Sequence, residues 1–260
     1  MPLYQEQAAF RAGTALVAQI PDNTATGGNA RGANAVDLQT LRGSSAQVAS
    51  GANSVVAGGQ GNTASFPNST VGGGVGNSAV GSASTVAGGN GNTAATGAAW
   101  VPGGVGAVAR GIHAGAWSAG RFATDGDAQA GEYVLRRQTT DATPTRLTAD
   151  AAAAGAANTV NLPNNSDYVC EITLTGRQNT AGGGRFRLVQ TVALSRDANA
   201  ASTVIDTVVA AVTNTRGTVT GWAVAVAADT TNGGLSITVT GAAATTINWV
   251  ARIKTVEVVA

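Results

Sequence analysis

Hydrophobic positions along this chain obey two different rules. From Gly51 to Ala109 a valine returns every 15 residues, at Val56, Val71, Val86 and Val101. Each is followed two and three places later by a glycine pair: Gly58-Gly59, Gly73-Gly74, Gly88-Gly89 and Gly103-Gly104. A third glycine then recurs at Gly61, Gly76, Gly91 and Gly106, followed by Asn62, Asn77 and Asn92 (Ala107 in the last copy) and by Ala64, Ala79, Ala94 and Ala109. From about Asp127 onward the rule changes to alternation, cleanest in Trp222-Val224-Val226, Leu235-Ile237-Val239 and Trp249-Ala251-Ile253.

A fixed period of this size means stacked units, each covering the face of the one before, with none stable alone. Within a copy, a short β-run such as Ser54-Val55-Val56-Ala57 leads into the glycine pair, where the chain turns or passes close to a neighbour. Gln60-Gly61-Asn62 reads as a second tight turn. Each copy is therefore one coil of a parallel β-solenoid, left- or right-handed, with the four valines as repeat core and the glycine pairs as repeat turns. The period is expected to fail after the fourth copy, since Ala116 stands where a fifth valine belongs and Ile112–Trp117 reads as a cap. Leu41 and Gly43 fit a degenerate copy ahead of the first, for a stack of four to five coils.

The alternating region predicts strands at Tyr133–Arg137, Thr145–Thr148, Thr159–Leu162, Tyr168–Gly176, Arg185–Ser195, Ser202–Thr213, Gly221–Ala227, Leu235–Thr240 and Thr246–Val259, with turn signals between them. Eight or nine such strands make an antiparallel β-sandwich or jelly-roll knob. The fold class is all-β, with residues 1–50 as a leader, 51–126 as repeat shaft and cap, and 127–260 as knob. The leader, carrying Arg11, Asp22, Arg31, Asp37 and Arg42 at wide intervals, is expected to be extended and to dock on a partner.

Composition narrows the function classes. Charged residues make up 11% and aromatics 4% of the 260 residues, while 36 are glycine. Hydrophobic residues still reach 43%, more than a disordered low-complexity chain carries. The formal charge is +1 with no basic run, which argues against nucleic-acid binding. No apolar run approaches the ~20 residues that span a bilayer, and no secretory leader is signalled, so membrane insertion is not expected. Between Arg42 and Arg110 no charged residue occurs. A solenoid with one Val and one Ala per coil buries too little to offset the ~1–2 kcal/mol of backbone entropy per residue. Three chains around a common axis would supply the missing burial, and a homotrimer is expected.

Candidate chemistry is sparse. Cys170 lies in an alternating strand and reads as a packing residue. His113 is the one histidine, which nearly excludes a His-based metal cluster or a Ser-His-Asp triad within one chain, and it reads as a capping or loop residue. Asp125-Gly126-Asp127 could pair two carboxylates, yet reads better as the junction between shaft and knob. No catalytic, cofactor or metal residue is assigned, and the chain is expected not to be an enzyme. Loops at Asn164, Asn165 and Asn232, with Tyr168 beside the first, are the candidate receptor-side positions.

Gly51-Ala52-Asn53-Ser54-Val55-Val56-Ala57-Gly58-Gly59-Gln60-Gly61-Asn62-Thr63-Ala64 resembles the glycine-rich head repeats of trimeric autotransporter adhesins and of the bacteriophage tail-fibre proteins that share them. Arg31-Gly32-Ala33-Asn34-Ala35-Val36-Asp37-Leu38-Gln39 resembles the entry segment of phage virion fibre proteins. Gly126–Gln129, Tyr133–Arg136, Leu147-Thr148 and Leu162–Ser166 resemble a C-terminal domain of the same proteins. The autotransporter version carries a signal peptide and a membrane anchor, neither signalled here, so the resemblance implies a virion structural protein assembled in the host cytoplasm. It implies a short trimeric tail fibre or spike, held to other virion proteins by its leader and meeting a host glycan or protein with its knob. A trimeric capsid decoration protein is the alternative, and a polysaccharide depolymerase a third reading.

Overall fold

The computed structural model describes residues 16–260, which divide into two compact units, residues up to Val105 and residues from Gly106 to Ala260. Arg11 and the rest of the first fifteen residues lie outside the described residues. No α-helix occurs among the described residues.

Unit 1 is a β-solenoid of about five turns. Its two-residue strands are β1 (Leu16–Val17), β2 (Val36–Asp37), β3 (Val55–Val56), β4 (Thr63–Ala64), β5 (Thr70–Val71), β6 (Ser78–Ala79), β7 (Thr85–Val86), β8 (Thr93–Ala94) and β9 (Trp100–Val101). Strands β1, β2, β3, β5, β7 and β9 form one parallel ladder. Strands β4, β6 and β8 form a second. Single bridges Leu41–Gln60–Val75–Asn90–Val105 run along a third line. Val56, Val71, Val86 and Val101 point inward and are fully buried, as are Ala64, Ala79 and Ala94.

The interior is as polar as it is apolar. Ser54, Ser69 and Ser84 are buried, and each hydroxyl donates to the carbonyl three residues back. Asn62, Asn77 and Asn92 are buried too. The tight turn expected at Gln60-Gly61-Asn62 takes its positive φ at Gly61, as do the later coils at Gly76 and Gly91, while the asparagine side chains are turned inward to bond one coil to the next.

Residues 16–50 are coils of the same solenoid, not an extended leader. Val36 pairs with Val55 and Asp37 with Val56, so Asp37, not Leu41, occupies the valine position of the preceding coil. Leu41 is 55% exposed. That coil is 19 residues long (37 to 56), and the one before it is 20 (17 to 37), so the chain encloses more space than a valine fills. A charged cluster occupies it: Asp37 Oδ2 accepts from Arg31 Nε at 2.8 Å and from Arg42 at 3.2 Å, with all three side chains buried. Gln39 takes the part of the asparagine in this wider coil, its Oε1 accepting the Asn62 amide at 2.8 Å across the extra distance.

Unit 2 begins with β10 (Val108–Ala109) and β11 (Gly115–Trp117). The 15-residue rhythm does not stop at Val101. His113 has φ of 59°, repeating the left-handed positions of Asn68, Ala83 and Ala98, and Ala116 is buried where the next valine belongs. Ala for Val changes the volume at that site while leaving the backbone free to keep the coil.

The rest of unit 2 comprises β12 (Ala128–Thr139), β13 (Thr145–Arg146), β14 (Val160–Asn161), β15 (Ser166–Gln178), β16 (Arg185–Arg196), β17 (Thr203–Val208), β18 (Val212–Arg216), β19 (Ala223–Asp229), β20 (Gly234–Thr240) and β21 (Ile247–Val259). Within the unit, one antiparallel sheet has the order β11-β12-β21-β15-β16, with β17 and β18 both pairing with β16. The region 202–213, expected as one strand, is therefore two. A smaller sheet places β13, β14 and β19 against β20. Inward residues of both sheets, among them Leu135, Ile172, Leu194, Leu235, Ile237 and Trp249, share one hydrophobic cluster.

Candidate functional site

The receptor-side positions expected from sequence separate in the structure. Tyr168 is 0% exposed, because it falls on the inward phase of β15, so it is a core residue and not a receptor contact. Its hydroxyl is pushed above the ordinary phenol range by burial and then by the nearby Glu257 carboxylate. Asn164 and Asn165 are exposed, and Asn165 lines an open depression of about 350 Å³ with Asp167, Arg196 and Asp197. Asn232 is half-buried and serves its own turn, its side chain donating to Asp229 Oδ2 at 2.8 Å.

The remaining candidates are structural. Asp127 accepts the Ala123, Thr124 and Phe122 amides, at 2.7, 2.7 and 3.0 Å. These donors, the Ala123 amide foremost, hold its carboxyl below the ordinary aspartate range. Asp125 is ion-paired with Arg121 instead of facing Asp127. Cys170 is buried, and burial pushes its thiol up to about 12. His113 is exposed on its turn.

A different group of residues is gathered at one end of the larger sheet in unit 2. Strand alternation sends Arg136, Gln138, Asn248, Val250, Thr175, Arg177, Arg185 and Arg187 to the outer face. Strand pairing then aligns them in two rows. In the first, Gln138, Asn248, Arg177, Arg185 and Arg216 are successive partners across β12, β21, β15, β16 and β18. In the second, Arg136, Val250, Thr175, Arg187 and Asn214 are partners in the same way. Neither row contains a carboxylate.

The inner face explains why this end keeps its shape. Trp249 lies in register with Gly176, where a Cβ would come within 2.4 Å of the indole ring. The ring is fixed by Nε1 donating to Thr139 Oγ1 at 3.0 Å and by edge contacts with Phe186 and Trp222. On the same face, Arg137 donates to the carbonyls of Arg146 and Ala152 and so anchors the loop instead of joining the outer rows. Two open depressions adjoin at Asn248. One, of about 520 Å³, is lined by Arg177, Gln178, Asn179, Thr180 and Ala181, and the other, of about 270 Å³, by Arg136, Gln138 and Val250.

Sequence reasoning missed this group. Each arginine sat visibly at an outward phase of, or beside, an expected strand, but nothing local said that β12 and β21, over a hundred residues apart, would be neighbours.

No family model matches the chain, and no curated protein matches it. Solved structures similar to it include three phage tailspikes. The tailspike protein of Acinetobacter phage vB_ApiP_P1 is 7% identical with a TM-score of 0.28, over 80% of this chain and 51% of that one. The tailspike of Acinetobacter baumannii phage AM24 is 9% identical with a TM-score of 0.26, over 84% of this chain and 42% of that one. Tailspike gp49 of A. baumannii bacteriophage Fri1, a capsular polysaccharide depolymerase, is 11% identical with a TM-score of 0.25, over 92% and 44%. This chain thus spans about half or less of their length, and at these TM-scores the likeness carries no argument about its activity. The expectation that the chain is not an enzyme is not kept beside a capsular polysaccharide depolymerase among the similar structures, and no activity is assigned in its place.

Proposed function

We propose that this chain is a structural component of a bacteriophage virion, a short spike in which the solenoid is spacer and assembly seam and unit 2 is the host-facing end. The stacked β-solenoid carries this reading: the glycine-rich repeat folds into the architecture that its resemblance to virion fibre proteins implies. With coils ~4.8 Å apart, five turns make a rod of only ~25 Å. Such a length suits a stubby attachment device.

In this reading the chain is a homotrimer, residues 1–50 hold other virion proteins, and the two sheets of unit 2 form a β-sandwich knob. What supports the trimer is exposed apolar surface on the solenoid: Leu41, Val75 and Val105 stand 55%, 46% and 40% exposed, alternating with Gln60 and Asn90 along one ladder, where neighbouring copies would cover them.

The test is labelling on intact particles together with competition. Labelled antibody is expected at the tail, and soluble full-length protein is expected to block adsorption. Label on the shell, or no competition at saturation, overturns the attachment reading. Following the same incubation for new reducing ends decides whether binding is accompanied by cleavage.

A further inference from the structure

We propose that the outer face of the larger sheet in unit 2, at its Asn248 end, binds an acidic polysaccharide, its guanidiniums taking the sugar carboxylates and its amides the hydroxyls. The inference rests on the reading of unit 2 as host-facing.

The first ground is the charge distribution. The whole chain is nearly neutral, with 15 basic and 14 acidic residues, yet Arg136, Arg177, Arg185, Arg187 and Arg216 gather in two adjoining rows without a carboxylate. Among the described residues none of the five is in an ion pair, whereas Arg252, in the next row along the sheet, pairs with Glu132 from the row beyond it. Glu132, four residues before Arg136, is taken up by Arg252, and Asp141 lies beyond the end of β12, with its Oδ1 accepting the Thr143 amide.

The second ground is energetic. Arg177 is directly opposite Arg185, and Arg185 directly opposite Arg216. Like charges in direct cross-strand register destabilise a sheet, so this line is relieved by an anion lying across it. Strands are ~4.8 Å apart, which spreads the three guanidiniums over ~10 Å, a length matched by an extended polymer and not by a single small ion.

Third, the neutral groups between the charges select the polymer. Asn248 and Gln138 are already joined by a 2.8 Å bond from Gln138 Nε2 to Asn248 Oδ1, which orients both amides and leaves the Asn248 NH2 free to donate outward. Thr175 and Asn214 add further hydroxyl and amide groups in the second row. Guanidiniums grip carboxylates in a two-pronged fashion, and amides suit sugar hydroxyls. Neither row carries an aromatic ring, the platform on which single-stranded nucleic acids stack. A second copy of the chain is disfavoured as occupant, since this end against itself would oppose guanidinium to guanidinium.

The experiment measures binding of the full-length protein to immobilised sodium polygalacturonate, with dextran and oligo-dT as comparison surfaces, across a range of salt. Binding to polygalacturonate that weakens with salt, with none to dextran, is expected. The double variant Arg177→Gln/Arg185→Gln should lose about tenfold or more in affinity. Arg121→Gln, which removes a charge elsewhere in unit 2, should change nothing. Circular dichroism and the unfolding midpoint establish that each variant is folded. Should the double variant misfold, Arg216→Gln alone, at the sheet edge, is expected to show the same loss in smaller measure.

Equal affinity of folded double variant and parent overturns the proposal, as does tighter binding to oligo-dT or equal binding to dextran. So does a sedimentation result in which the double variant alone changes oligomeric state, which would assign the face to a second copy. If polygalacturonate binds as expected but soluble protein does not block adsorption, the attachment reading fails alone. If adsorption is blocked equally by parent and double variant, the inference fails alone.

Discussion

The Asn77 amide donates to the Asn62 side-chain oxygen at 2.9 Å, and the Asn77 side chain passes the same bond on to the Asn92 amide, also at 2.9 Å. Each asparagine also uses its NH2 group, Asn77 donating to the carbonyls of Gly73 and Gly89 at 2.9 Å. One buried side chain thus satisfies backbone groups in its own coil and in the next. Replacing Asn77 by Ala leaves the Asn92 amide and the Gly73 carbonyl without these partners. At ~1–3 kcal/mol per buried orphan, a loss of about 3 kcal/mol is expected, read as a lower urea midpoint.

The two glycines of a pair are not equivalent. A Cβ on Gly89 would lie 2.2 Å from the Gly104 carbonyl oxygen at φ of 93°, whereas one on Gly88 meets nothing within 4 Å. Gly89→Ala should cost about 3 kcal/mol or more, from strain and overlap together. Gly88→Ala should fall within about 1 kcal/mol of the parent, on either side. Equal effects in denaturant melts would refute the distinction.

Ala83 sits at φ of 55° in the position occupied by Asn53 and Asn68 in earlier coils, whose side chains are linked at 3.4 Å. An L-residue with a Cβ pays about 1–2 kcal/mol there, less for asparagine. Ala83→Asn is expected to stabilise the solenoid by about 0.5–1 kcal/mol, visible as a higher thermal midpoint.

Asp37→Asn should have the opposite effect. It strips the buried Arg31 and Arg42 guanidiniums of their shared counter-charge. Breaking such a cluster from one side costs about 3–5 kcal/mol. The damage is expected to be local, so that limited proteolysis cuts the first two coils while the 15-residue coils resist.

Acid should act on unit 2 through Asp127. Its folded value lies below the unfolded 3.8, so its contribution is complete above pH 3.8 and is lost as pH falls through the folded value. Stability followed from neutral pH down to about pH 2 should drop in that window, and Asp127→Asn should flatten the drop. An unchanged profile in the variant would show that other carboxylates dominate.

Much of this architecture was legible because it is local. Stacking at fixed period places Val56, Val71, Val86 and Val101 inward whatever lies elsewhere, and alternation set the faces of β12, β15, β16 and β21. The same alternation should have warned that Tyr168, in phase with Cys170 and Ile172, is buried. Its place beside a polar turn was the weaker signal. The coil of Asp37 was hidden by its extra residues, which break the period while preserving the pairing.

By itself, then, the sequence determined the coil repeat, the strand phases and the residues each element turns inward, since these follow from chain geometry over a few residues. Tertiary structure decided what no window of sequence contains. It placed a charged trio in a valine's position, because the longer coil left room for it. It gave asparagine an inward bonding role, because the next coil offered an amide at the right distance. It aligned Gln138 with Asn248, 110 residues apart, and through them assembled the arginine rows, because strand order is set by which buried faces close over the common core.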